Sequence, residues 1–282
     1  MTAKVIDGKA VAERVLRSVG ARASRLKARG IHPHLSFVMI GDSPPARVYA
    51  NRLEKLARPL GVDFHRVHLD ESARQSELER AVCDLSHDVS IDGILVQMPL
   101  PDHLSHTNLG DLIDPRKDVD GITVRNAGRL YLEMPGQFPS TALAMMEILD
   151  SCGVSATGKD AVVVGRSKVV GHPVAEMLMW RDATVTVTHR QTKDLASHTR
   201  RAEILMVAAG EPHLITGDML LPGAVVIDAG INATPHGLVG DVAFEQAVSV
   251  VSAITPVPGG VGPVTNAVLL RSVLSSAEER HA

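Results

Sequence analysis

The chain of 282 residues has only two cysteines, no apolar run long enough to cross a bilayer and no excess of either charge. Each scarcity removes a class of protein. Cys83 and Cys152 have no C-x-x-C spacing, so neither a disulfide framework nor a zinc ribbon is expected. Each is most simply a small buried apolar residue. The longest apolar stretches, "GILVQMPLP" and "GAVVIDAGI", fall far short of the roughly 20 residues a membrane-spanning helix needs. The opening "MTAKVIDGKA" has no apolar signal region, so a cytoplasmic protein without a membrane partner is expected. Lys and Arg number 29 against 32 Asp and Glu, and the two signs are interspersed, which argues against a nucleic-acid partner. The metalloprotease pattern H-E-x-x-H is also missing. Thirteen histidines include the pairs His65/His68 and His103/His106, but no cluster adds the further ligands a zinc site needs, and no metal is expected.

What is present is an alternation of strands and helices. With 45% hydrophobic residues the chain can bury a sizeable core and is long enough for two domains. Val11, Val15 and Val19 at helical spacing, ended by Gly30, predict a helix over about residues 9–29. "HLSFVMIG" reads as a strand; Ser43 is a candidate N-cap and Pro44 a first helical residue. That places Tyr49 and Leu53 on a second helix ending near Pro59 and Gly61. A strand over 63–69, a helix over 76–86 and a strand over 93–97 follow. After a less regular stretch, 101–140, the alternation resumes. A helix over 141–152 leads into "DAVVVG", then "ATVTVTH", a helix near 193–201, and the strands "AEILMVA" and "GAVVIDAG". The closing "TPVPGGVGPVTNAVLLRSVLSSA" is loop in its first half and helix in its second. The fold class is therefore α/β, two units with parallel, twisted sheets, and no repeat of fixed period or low-complexity tract is seen.

"VVVGRSKVVGHP" combines a buried strand, a glycine turn and a helix start, an arrangement that aims backbone N–H groups and a helix dipole at an anion. Its glycines, Gly165 and Gly171, do not match G-x-G-x-x-G, and such turns also occur where nothing binds. The end of the next strand discriminates. An NAD-binding fold places an acidic residue there for the ribose hydroxyls, whereas "VTHRQT" places Arg190. With Arg166 and Ser167 on the first turn, the set suits a ribose phosphate, and NADP is the expected cofactor.

Four stretches, "DGILVQMPLP", "KDVDG", "GRSKVVGHP" and "TPVPGGVGP", in this order and over nearly the whole chain, resemble the methylenetetrahydrofolate dehydrogenase/cyclohydrolase family. The resemblance implies two α/β domains around a cleft, the C-terminal one Rossmann-like, with the last helix returning to the first domain. It implies a folate-binding catalytic domain over 1–140 and 264–282, an NADP-binding domain over 141–263, and a homodimer formed through the latter. Tyr49, Gln97 and Asp120 match the family's catalytic and substrate-binding positions: an aromatic face along the pterin, an amide near the reacting centre, and a carboxylate on the pterin's donor edge. Gly259, Gly260 and Pro263 match the loop passing close to folate. Gly165, Arg166, Ser167, Val170, Gly171, Arg190 and Ile231 match the cofactor positions.

The chain also departs from the family. A lysine four residues after the tyrosine is replaced by Leu53, a serine three residues before it by Ala46, and T-P-x-G reads "TALA" over 141–144. Hydride transfer needs placement, whereas hydrolysis of the methenyl cation needs a titrating group at the reacting carbon. Leucine cannot supply one, Arg52 stays charged, and Lys55 points to another face. Leu53 also continues a packing stripe with Tyr49, Leu56 and Leu60. The expectation is an NADP-dependent dehydrogenase with weak or absent cyclohydrolase activity. A fully bifunctional enzyme, a folate- or NADP-binding protein without turnover, and an enzyme for a different one-carbon pterin adduct remain as alternatives.

Overall fold

The computed structural model describes residues 3–105 and 108–282. They form two compact units: Val15–Ser140 with Asn266–Ala282, and the residues up to Arg14 with Thr141–Thr265. In chain order the elements are β1 (Lys4–Val5), α1 (Gly8–Ala28), β2 (His34–Ile40), α2 (Pro44–Ala57), β3 (Asp63–Leu69), α3 (Gln75–His87), β4 (Gly93–Val96), α4 (Val124–Tyr131) and α5 (Ser140–Ser151). There follow β5 (Asp160–Val164), α6 (Gly171–Met179), β6 (Thr184–Thr188), α7 (Leu195–Thr199), β7 (Ile204–Val207), β8 (Val225–Asp228), β9 (Asn232–Thr234), β10 (Gly237–Val239), α8 (Phe244–Ala247), β11 (Ala253–Ile254) and α9 (Val261–Arg280).

The unit built from Val15–Ser140 and the end of α9 carries a three-stranded parallel sheet of order β3-β2-β4. From β2 the chain steps to one side for β3 and then across to the other side for β4. The order therefore reverses between β2 and β4, where a ligand crevice forms outside the carboxyl ends of an open α/β sheet. Ser43 starts α2 as expected, its hydroxyl accepting from Ala46 N at 3.4 Å, with Pro44 in the first turn. The buried face of α2 is Ala46, Ala50, Leu53 and Ala57, whereas Tyr49, Leu56 and Leu60 are only partly covered. The packing stripe is thus turned relative to the expected one, because small alanines let the helix lie close on the sheet.

On the opposite side of the sheet Val38, Ile94 and Val96 pack with Leu78 and Val82 of α3 and with Leu104 and Leu109. One polar group interrupts this apolar interior: Ser36 on β2 is fully buried and its hydroxyl has no partner among the described residues. An orphaned buried hydroxyl costs stability, so Ser36→Ala is expected to stabilise the protein by about 1 kcal/mol. Urea unfolding with an unchanged m-value checks this, and a lower midpoint would show that the hydroxyl is not idle.

The other unit carries a six-stranded parallel sheet of order β1-β11-β8-β7-β5-β6, with β9 and β10 as a separate antiparallel hairpin. Its order reverses between β5 and β7. The core is aliphatic, built on Val162, Val164, Leu205, Val207 and Val226, and β5, β7 and β8 lack the polar alternation of a half-exposed strand because parallel sheets are covered on both faces. The first strand differs from the domain boundaries expected from the sequence. Lys4 lies opposite Ala253 and Val5 opposite Ile254, so the segment before α1 belongs to the six-stranded sheet. Two residues carry no periodic signal, and their place is set by the distant β11.

Candidate functional site

In the three-stranded unit the expected residues stand at the carboxyl edge of the sheet. Tyr49 lies on the helix that leaves β2, Gln97 directly follows β4, and Asp120 follows Asp118, which bridges in parallel to Ile94. The Tyr49 ring is backed by the buried Phe37, with centroids 6.0 Å apart and planes tilted by 50°. Phe37 in turn stacks on Phe64 at 6.0 Å. This backing fixes the tyrosine face in a chain that has few aromatic residues. Burial, then the charge of Asp120, pushes the Tyr49 hydroxyl above its ordinary range, so Tyr49 remains a neutral donor. Burial likewise pushes the Asp120 carboxyl up, and Asp118 adds to the shift. Ser140 opposes it, donating its backbone N–H to Asp120 Oδ1 at 3.3 Å. No cation among the described residues offsets either shift. Gln97 is held locally, its side-chain amide donating to Met98 O at 2.7 Å.

Leu53 is 0% exposed. It is part of the interior, and Arg52 and Lys55 on the same helix are exposed. Ala46, Ala142 and Ala144 are buried as well, so the three small residues that stand where the resemblance places serine, proline and glycine serve packing.

In the six-stranded unit the glycine turn after β5 sits where the strand order reverses. Gly165 has φ 117°, and a Cβ there would lie 2.8 Å from the Ala208 carbonyl carbon. A Cβ on Gly171 would lie 2.6 Å from the Gly165 carbonyl carbon. Only glycine permits this approach of the turn to the loop after β7. Ser167 Oγ accepts from Val170 N at 3.1 Å and Gly171 N at 3.4 Å, so these first helical amides are satisfied internally. The amides of residues 166–169 have no protein partner among the described residues, an arrangement suited to an anion. Arg166 and Arg190 are exposed and engaged in no ion pair among the described residues. Ile231 is 66% exposed just beyond β8, an apolar surface fit for a ring. These groups suit a nicotinamide dinucleotide carrying a ribose phosphate.

Gly259, with φ 105°, accepts from Gly8 N at 3.1 Å, and Pro263 lies in the first turn of α9. A cavity of about 660 Å³ opens beyond the ends of β8 and β11, lined by Asp228, Thr255, Pro256 and Val257 among others, and by none of the expected cofactor residues. Burial pushes the Asp228 carboxyl up to about 6.

Two supporting acids escaped the sequence reading. Asp241 is buried; its Oδ2 accepts from Ala209 N at 2.6 Å and Gly210 N at 2.9 Å, and its Oδ1 from Glu211 N at 3.0 Å and Asn232 Nδ2 at 2.8 Å. It fixes the loop after β7 at the point of strand reversal. Asp118, within the quoted "KDVDG", is the other. The glycine before it, Gly240, was the one available signal for Asp241, whereas Asp118, between Lys117 and Val119, had none of its own. Among the described residues no group of three or more His, Cys, Asp and Glu could hold a metal. His68 and His103 turn their Nε2 atoms to Gly41 O and Ala73 O, each at 3.0 Å, and His106 lies outside the described residues.

Comparison with known proteins agrees with this geometry. The catalytic domain of the tetrahydrofolate dehydrogenase/cyclohydrolase family matches residues 6–120, and the family's NAD(P)-binding domain matches residues 139–281. The bifunctional protein FolD of Bordetella avium is 45% identical over 279 residues, covering 99% of this chain and 98% of the relative. The crystal structure of the bifunctional methylenetetrahydrofolate dehydrogenase/cyclohydrolase of Campylobacter jejuni superimposes with a TM-score of 0.96 at 41% identity, covering 99% of both chains. The Trypanosoma brucei enzyme, solved with NADP cofactor and an inhibitor, gives 0.95 at 38% identity, covering 99% of this chain and 98% of that one.

Proposed function

Because the chain belongs to the tetrahydrofolate dehydrogenase/cyclohydrolase family, we propose that it oxidises methylenetetrahydrofolate to methenyltetrahydrofolate with NADP and hydrolyses the product to formyltetrahydrofolate. The expectation of weak or absent hydrolysis gives way here. Relatives that match nearly the whole chain at 45% and 46% identity are named bifunctional, which favours the two-step alternative.

The observation that carries the reading is the neutral Tyr49 beside the half-free carboxylate of Asp120. Tyr49 offers its face to a flat heterocycle, and Asp120 accepts from the heterocycle's amino and ring N–H donors. Gln97, directly after β4, supplies an amide, and the resemblance carries Gly259 and Gly260 over as a loop whose backbone a ligand can approach. Bound NADP supplies the acceptor for the hydride leaving the methylene carbon. The amides of residues 166–169 and the guanidinium groups of Arg166 and Arg190 bind its phosphates. In the second step water adds to the methenyl carbon, the C–N bond opens and one proton is released, so a group must take up that proton.

A second reading, a dehydrogenase with slow hydrolysis, is favoured by one observation: position 53 holds a fully buried leucine where the resemblance places a lysine. One assay separates the two. Purified protein with methylenetetrahydrofolate should reduce NADP in preference to NAD and should consume methenyltetrahydrofolate about 10²-fold or more above the spontaneous rate. Hydrolysis at the spontaneous rate would replace the first reading by the second. Ligand binding with no reduced cofactor would sink both. The same family resemblance supports a homodimer and a cytoplasmic location; no helix among the described residues is long and apolar enough to cross a membrane.

A further inference from the structure

The run "KDVDG" is almost wholly committed inside the three-stranded unit. Lys117 is 2% exposed, and its ammonium donates to Leu85 O at 3.1 Å, Ser86 O at 2.6 Å and Asp88 O at 2.6 Å. It thereby closes the carboxyl end of α3, where helix carbonyls lack partners. Asp118 is 0% exposed; Oδ1 accepts from Ile122 N at 2.9 Å, and Oδ2 accepts from Thr123 N at 2.8 Å and Asn126 Nδ2 at 2.9 Å. Thr123 Oγ accepts from Asn126 N at 3.3 Å and caps α4. Val119 is core. Gly121 has φ 63°, and a Cβ there would lie 2.6 Å from the Phe138 backbone, so this turn admits no other residue without displacement. Asp120 is the exception. Its carboxylate has one hydrogen-bonded neighbour among the described residues, Ser140.

We propose that Asp118 is a positioning residue that sets where the Asp120 carboxylate stands. The inference rests on the reading of Asp120 as the substrate-binding carboxylate. The chain between the β4 edge and α4 has few free torsions left: residue 118 is bridged to Ile94, residues 122 and 123 hang on the Asp118 oxygens, and the turn at 121 packs on Phe138. Three residues separate Asp118 from Ile122, the nearer of the two backbone amides that donate to it, and Asp120 is the middle of that closed loop. Asp118 also acts through its charge. The groups acting on Asp120 are Asp118 on its own loop and Ser140 on α5, while the Tyr49 hydroxyl on α2 in turn feels Asp120; the like charge of Asp118 makes Asp120 harder to ionise.

Asp118→Asn keeps the shape but turns an NH₂ group toward N–H donors. In the full-length protein the KM for methylenetetrahydrofolate should rise about tenfold or more, with the NADP dissociation constant changed less than about twofold. The acid limb of kcat/KM against pH should move to lower pH, since the like charge is gone. A merely structural role would not move that limb. An unchanged KM, an unmoved limb, or a parallel loss of NADP affinity would overturn the proposal. If Asp118→Asn does not fold, Asn126→Ala, which keeps the charge and removes one donor, decides: a raised KM supports the proposal and an unchanged KM overturns it. Wild-type protein without dehydrogenase turnover would instead sink the functional reading, and the Asp118 comparison would then be made on equilibrium binding of tetrahydrofolate.

Discussion

Asp120→Asn is expected to lower kcat/KM for methylenetetrahydrofolate by about 10²-fold while leaving NADP affinity within about twofold, because a carboxylate that accepts a ligand's donor edge out of water loses both charge and one acceptor. The same substitution should raise the melting temperature of the ligand-free protein. Burial disfavours the ionised Asp120 in the folded chain, whereas asparagine can still accept from Ser140 N. The pH dependence follows from the raised folded-state pKa. The wild type has its full stability at pH values where the carboxyl is protonated in both states, and loses ground as pH rises through the folded-state value. The melting-temperature gap between variant and wild type should therefore widen from acid to neutral pH. Lost turnover together with a lowered, pH-independent melting temperature would show Asp120 to be a structural residue.

The second large effect concerns the end of α9. Arg280 donates through Nη1 to Asp92 Oδ1 at 2.6 Å and to Ile91 O, and through Nη2 to Val89 O at 3.0 Å. Asp92 is 1% exposed and the Arg280 side chain 10%. The other Asp92 oxygen accepts from His34 N at 3.0 Å, which ties the start of β2 to the same acid. Removing the guanidinium leaves the buried Asp92 carboxylate with the half-exposed His281 ring, 3.2 Å from Oδ1, in place of its guanidinium counter-charge, and breaking such a buried pair costs about 3–5 kcal/mol. Arg280→Ala should lower the urea midpoint accordingly, and the Arg280→Ala/Asp92→Asn double variant should recover part of the loss, since it removes the stranded charge as well. A loss below about 1 kcal/mol would place this pair with ordinary surface ion pairs. The neighbouring Arg22–Glu278 pair, more exposed, is expected to matter less.

Particular elements show what could be read in advance. Strand β3 is observed over Asp63–Leu69, as expected, and Ser43 with Pro44 opens α2, because caps and short apolar runs are local signals. Helix α4 was hidden in the stretch expected to be irregular. Its eight residues include Gly128 and bury only Asn126 and Leu130, too little for a periodic pattern. The hairpin of β9 and β10 and the short α8 are equally weak in sequence, and their positions follow from Asn232 on Asp241 and from the Ile215–Val242 bridge. At the candidate site, residue types and order pointed to Tyr49, Gln97 and Asp120. The partners that hold them, Phe37, Ser140 and Asp118, carried no signal of their role because each also suits an ordinary core or turn.

The sequence by itself determined the succession of buried parallel strands and helices, the glycine turn with its two arginines, and the absence of an amine at position 53, since each of these depends on neighbours within about two helical turns or one strand. Tertiary structure alone decided that β1 joins the far sheet, which face of α2 is buried, and that Asp118 and Asp241 spend their oxygens on backbone amides. Those outcomes depend on which N–H groups and apolar surfaces the folded chain brings opposite one another, and no local pattern encodes a partner tens or hundreds of residues away.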